Sequence, residues 1–131
     1  MSASAKLQAA AIEALQAAPG IGGVYDGPPL QAAFPYAMVE CGPEADWSHK
    51  SGTGREVRLA VTIRDAGERP ARLHRLMAEA EAAIGAQGVS PEGWALVTFV
   101  FRRSQALRDA KGIWTGLLEY RARMLVSAPS E

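Results

Sequence analysis

Cys41, His49 and His74 are the residues of this chain whose types could support nucleophilic or metal chemistry. A cysteine beside a histidine can act as an activated nucleophile, and either can ligate zinc. Metal sites usually show tight local spacing, such as Cys-x-x-Cys or His-x-x-x-His, and neither occurs here. Cys41 falls at the end of a strand-like stretch, and His74 follows the apolar Leu73 in a helix-like one. The reading is therefore structural for all three: no catalytic residue, no metal and no cofactor. The glycine-rich places, Gly20-Ile21-Gly22-Gly23 and Gly52-Thr53-Gly54, lack the Gly-Lys-Ser/Thr of a phosphate loop. The first follows a helix pattern where a dinucleotide fingerprint follows a strand, so both read as turns. Glu79 and Glu81 are too close in sequence to share a helical face and read as solvated.

The arginines form a clearer pattern. Arg55, Arg58 and Arg64 read as the polar face of one strand, Arg121 and Arg123 as that of another, and Arg102 with Arg103 closes a third. Such rows suit a solvated sheet face with charge-protected edges. They equally suit a face turned toward a partner subunit or a DNA-carrying channel. Asp65, Asp109 and Glu119 are interleaved with them, which favours protein contacts over DNA. Trp47, with His49 and Lys50, lies in a polar, glycine-rich stretch. A lone tryptophan there is either tucked onto the core or an anchor for a partner.

The elements that must position these residues follow from periodicity. Ser4 to Ala17 predicts a helix with Leu7, Ala11, Ala14, Leu15 and Ala18 on one stripe, Ser4 as N-cap and Pro19-Gly20 as the stop. Val24-Tyr25 is a short strand candidate, and Phe34 to Cys41 a longer one. Gly42 to Gly54 predicts a long mobile loop. Val57, Leu59, Val61 and Ile63 alternate with Arg58, Ala60, Thr62 and Arg64, as in a half-buried strand. Pro70 to Ala86 predicts a second helix, with Leu73, Leu76, Met77, Ala80, Ala83 and Ile84 inward. Trp94 to Arg103 is apolar on both faces and predicts a central strand, with Phe99 and Phe101 opposite Trp94 and Leu96. Ser104 to Lys111 predicts a turn, Ile113 to Val126 a last strand, and Ser127 to Glu131 a frayed tail. The expected fold class is α+β, a mainly antiparallel sheet with two helices on one face, as a single domain over residues 1–131.

Composition sets the outer bounds. In 131 residues, 48% are hydrophobic and 21% charged, enough for a real core and against wholesale disorder. Fourteen basic residues balance fourteen acidic ones, which argues against a protein that grips nucleic acid with its whole surface. One cysteine allows no intrachain disulfide. No signal peptide is evident, and no apolar run approaches the ~20 residues that cross a bilayer. A soluble protein made in the bacterial cytoplasm, with no membrane partner, is expected.

The element order and several phrases resemble the phage tail-completion proteins, including tail terminators. The N-terminal helix is followed by Phe34-Pro35-Tyr36-Ala37-Met38-Val39. A glycine-rich loop then leads to Arg55-Glu56-Val57-Arg58-Leu59-Ala60-Val61-Thr62-Ile63, and a closing hairpin runs from Trp94 to Met124 with Arg102 and Gly116 to Arg123. The resemblance covers nearly the whole chain through short phrases, without a catalytic signature. Ile63-Arg64-Asp65 stands where relatives commonly have an aromatic residue. The alanine- and arginine-rich style is similar to versions encoded in alphaproteobacterial prophages and gene transfer agents.

The resemblance implies a non-enzymatic subunit of a hexameric ring in a phage-like tail. The ring would cap the tail tube, stop its polymerisation and meet the head-completion or connector proteins, while DNA passes without being read. Its partners would be its own copies, the tube protein and the connector. Trp47, His49, Lys50, Arg55, Arg58, Arg64, Arg102, Arg103, Arg121 and Arg123 are the candidates for subunit, tube or channel contacts. Two alternatives stand beside this: a head-tail connector component, and a small ligand- or peptide-binding module with Trp47, Tyr25 and Trp114 lining a pocket. A third, an enzyme using Cys41, would lose its activity on Cys41→Ser.

Overall fold

The computed structural model describes residues 2–50 and 52–127. Two helices, α1 (Ala3–Leu15) and α2 (Ala71–Gln87), lie on one side of a five-stranded sheet. The strands are β1 (Val24–Tyr25), β2 (Tyr36–Asp46), β3 (Gly54–Asp65), β4 (Trp94–Arg108) and β5 (Trp114–Val126). Their order is β1-β2-β3-β5-β4, with β1 parallel to β2 and every other pairing antiparallel. The architecture is the expected α+β. Of the tail expected to fray, residues 128–131 lie outside the described residues, whereas the Ser127 N–H donates to the Gly93 carbonyl at 3.0 Å.

The core forms where the period-two face of the sheet meets the helical stripes. Val57, Leu59, Val61 and Ile63 of β3, with Leu118, Tyr120, Ala122 and Met124 of β5, point to the helix side. They meet Leu7, Ala11 and Leu15 of α1 and Leu73, Leu76 and Ala80 of α2. Full burial of each larger aliphatic side chain is worth roughly 1.5–3 kcal/mol. Gly116 lets α2 approach: a Cβ there would stand 2.8 Å from Met77 Cγ and 3.2 Å from Leu73 Cδ1.

Local chemistry shifts several boundaries. Ser2, rather than Ser4, caps α1, accepting from the Ala5 N–H at 3.2 Å. Ser4 lies inside the first turn, where its N–H and hydroxyl donate to Glu44 Oε1 at 3.1 and 2.5 Å. Helix α2 passes through Gly85 and ends at Gly88, whose φ of 71° suits glycine.

The expected long loop after Cys41 is instead mostly strand. Gly42 and Pro43 form a bulge between Cys41 and Glu44, and β2 resumes against Val57, Glu56 and Arg55. A bulge tolerates the glycine and proline that otherwise mark a loop. Cys41 is therefore inside β2 rather than at its end. What remains of the loop is a tight hairpin closed by Trp47 N–H to Gly54 O at 2.9 Å and by reciprocal His49–Gly52 bonds at 3.0 Å.

Strand β4 departs most from expectation. It is an edge strand, not a central one, and runs on to Arg108 through the residues expected to turn. The turn comes at Asp109, whose carboxylate accepts from the Lys111 and Ile113 N–H groups at 2.9 and 3.0 Å. Irregularities between Leu96 and Thr98 and between Phe101 and Arg103 shift the register twice. Each shift exchanges the faces, so Phe99 and Phe101 share the helix side with Trp94 and Leu96. Phe99 stacks on Tyr120 at 4.8 Å, and Phe101 meets the same ring edge-on at 5.7 Å.

Candidate interface on the sheet

The face of the sheet away from the helices carries most of the candidate arginines in register. Arg58 of β3 stands opposite Arg121 of β5, with Glu56 opposite Arg123 on one side of that pair and Ala60 opposite Glu119 on the other. Across β5 lie Thr98, Val100 and Arg103 of β4. Toward the far end come Met38, Thr62, Leu117 and Gln105, then Tyr36, Arg64, Thr115 and Leu107.

Ion pairs flank the central arginines. Arg123 Nε donates to Glu56 Oε1 at 2.9 Å, and Arg103 pairs with Glu119. The Arg123 hydrogen bond is the main reason the Glu56 carboxyl is held below its ordinary range, with Arg121 and Arg58 adding to it. Arg64 reaches Asp109 at 3.2 Å and the Tyr36 hydroxyl at 3.4 Å. Arg58 and Arg121 have no acidic partner among the described residues. The Arg121 Nε is buried without a hydrogen-bond acceptor. Two like charges in register repel, and an unpaired buried donor is costly, so this centre is suited to receiving a carboxylate.

The other candidates are dispersed. Trp47 is half-buried, with the Arg123 guanidinium 5.7 Å from its ring centre and the His49 ring edge-on at 4.5 Å. It is thus packed over the edge of the arginine face. Lys50 is exposed at the hairpin tip, and Arg102 is exposed in the second irregularity of β4. Arg55 does not share a face with Arg58 and Arg64. Strand alternation turns it to the helix side, where its Nε lies 3.7 Å from Glu44 Oε2.

One buried ion pair escaped the sequence reading. Asp65 continues the inward parity of β3 and is fully buried. Arg72 Nε donates to its Oδ2 at 2.8 Å and Nη2 to its Oδ1, holding the carboxyl below its usual range. The visible signal was parity: Asp65 follows Val57, Leu59, Val61 and Ile63 at the same two-residue step.

For chemistry the arrangement offers little. The Cys41 thiol is pushed up to about 12, first by burial and then by Glu44, which suppresses the reactive thiolate. His49 sits in the hairpin and His74 on the exposed side of α2. Among the described residues, no three His, Cys, Asp or Glu side chains are grouped to hold a metal. Trp47 and Trp114 adjoin opposite ends of β3, next to Gly54 and Asp65, about 35 Å apart by strand geometry. They do not line one pocket with Tyr25. Depressions of about 210 and 240 Å³ lie instead beside α1, below the roughly 300 Å³ at which ligand sites begin. No helix among the described residues is long and apolar enough to cross a membrane.

The comparisons with known proteins point one way. The family model of tail completion protein gp17 matches residues 4–125. A chain in the virion of a native gene transfer agent particle is 30% identical, with a TM-score of 0.66, over 95% of this chain and 99% of that one. The gp17 protein of bacteriophage SPP1 shares the fold at 19% identity and a TM-score of 0.59, over 98% of this chain and 94% of that one. A comparison with curated proteins returns no match. A family match across nearly the whole chain leads to one assignment: the chain belongs to the tail completion protein gp17 family, with a structural role in a phage-type tail.

Proposed function

We propose that this protein is the subunit of a ring, six copies around, that seats on the end of the tail tube. There it stops addition of tube protein and offers its other surface to the head-completion proteins, and DNA passes through its bore without being read. The observation that carries this reading is the family match over residues 4–125, supported by the likeness to a gene transfer agent virion chain. Small α+β subunits with two dissimilar edges can close a ring when the rotation between neighbours closes. The role needs no reaction, and the raised Cys41 thiol agrees with that. Arg58 and Arg121 are the proposed acceptors for carboxylates of a neighbouring subunit, tube protein or connector.

Deletion of the gene from a particle-producing host, with electron microscopy of the products, tests the role. The expected result is tubes of uncontrolled length and heads without joined tails, reversed by adding the gene back. Tails of normal length joined to filled heads in its absence would refute it.

A further inference from the structure

Large apolar side chains exposed to solvent among the described residues gather at two places, and these are opposite edges of the sheet. Leu30 is fully exposed and Phe34 40% exposed, both in the irregular segment between β1 and β2. Val97, Val100, Phe101 and Leu107 are 36–56% exposed along β4, with Val126 beside the start of that strand. A monomer gains nothing from two such patches, whereas an interface does.

Charge divides the same way. From Val24 to Asp46 the chain holds Asp26, Glu40, Glu44 and Asp46 and no lysine or arginine. From Trp94 to Arg108 it holds Arg102, Arg103 and Arg108 and no acid. Among the described residues, Asp26 and Glu40 have no basic partner, and Arg102 and Arg108 no acidic one. The acidic edge therefore complements the basic edge but not itself. A two-fold pairing of β4 with β4 would set arginines against arginines.

The edges differ in backbone too. β4 is a long strand with one side unpaired, an open template for another chain. The opposite edge is only the two-residue β1, and Pro28, Pro29 and Pro35 interrupt the segment that follows it. That edge is suited to contribute side chains rather than a long ladder.

We infer that the contact closing the ring is head-to-tail: the Leu30–Phe34 segment of one copy docks on the β4 edge of the next, with Asp26 and Glu40 of the same edge facing the β4 arginines. The inference rests on the ring reading above and names the surfaces that close it. Unlike surfaces meeting in this way propagate around an axis, whereas like surfaces stop at a dimer.

Complementation between two full-length variants, Leu30→Asp and Leu107→Asp, provides the test. Both side chains are exposed, so thermal melts should stay within a degree or two of the parent, showing that both variants fold. Each variant alone spoils every head-to-tail contact and should sediment as a monomer under conditions where the parent forms rings. Mixed one to one, the intact Leu30 of one variant meets the intact Leu107 of the other, giving a heterodimer that cannot grow. Rings of parental mass from either variant alone would overturn the assigned surfaces while leaving the ring reading intact. A mixture that stays monomeric would overturn the head-to-tail pairing. A parent that stays monomeric at high concentration and with tube protein present would overturn the ring reading, and this contact with it.

Discussion

Gly54→Ala tests the view that the Trp47 hairpin is a fixed part of the sheet. A Cβ at Gly54 runs into the Trp47 carbonyl oxygen, and it stands 2.9 Å from Leu125 Cδ2 and 3.0 Å from the Met124 carbonyl oxygen. The Leu125 methyl can rotate away, but the two carbonyls belong to the hairpin and to the β3–β5 ladder. Overpacking of this kind costs about 1–3 kcal/mol, and rigid backbone neighbours put this site in the upper half of that range. Alanine also reduces the freedom of the unfolded chain, offsetting roughly 0.4–1 kcal/mol. The net loss is about 1.5–2 kcal/mol, or roughly 5–10 °C in Tm for a chain of this size. Urea unfolding should show a lower midpoint with an unchanged slope. Gly52→Ala is the control: it lies in the same hairpin, no atom lies within 4 Å of its Cβ position, and its stability should match the parent's or exceed it by up to about 1 kcal/mol. Equal stability of Gly54→Ala and Gly52→Ala would refute the fixed hairpin and restore the picture of a mobile loop.

Three further outcomes follow from the same geometry. Arg72→Ala should lower the melting temperature at pH 7, because it strips the buried Asp65 carboxylate of its guanidinium partner. A carboxyl held below its unfolded value stabilises the fold above that value and loses the contribution as pH falls through the folded value. The gap between parent and variant melts should therefore narrow below about pH 4 and be absent in strong acid. In a thiol-reagent assay at pH 8, Cys41 should react slowly in the folded protein and fast in denaturant, and Cys41→Ser should leave tail assembly unchanged. Arg58→Gln removes the in-register repulsion with Arg121 together with an attraction to Glu56, and should leave the isolated subunit within about 0.5 kcal/mol of the parent while weakening its assembly.

How far residue pattern reaches structure depends here on parity. Where alternation is unbroken, as from Val57 to Ile63, face, burial and strand type follow directly, and so does the helix layer from the stripes of α1 and α2. The same parity, followed one step further each way, turns Arg55 and Asp65 inward. The misreadings come where one extra residue resets the count. Gly42-Pro43 looks like loop because local breakers cannot be told from a bulge without the partner strand. The two irregularities of β4 change faces unseen, and its apolar content suggests a central strand because solvent exposure is a tertiary fact. Of the candidate site, the arginine rows on β3 and β5 were legible as rows, whereas the Arg58–Arg121 register was not. The apolar patches at opposite edges depend on strand order, which no local pattern carries.

The most direct test of the ring-subunit account is native mass spectrometry of the purified full-length protein over a wide concentration range, alone and with tube protein. The account predicts one closed species of fixed stoichiometry, about six subunits, with no open series of intermediate sizes at saturation. A monomer under every condition, including saturating tube protein, would contradict it.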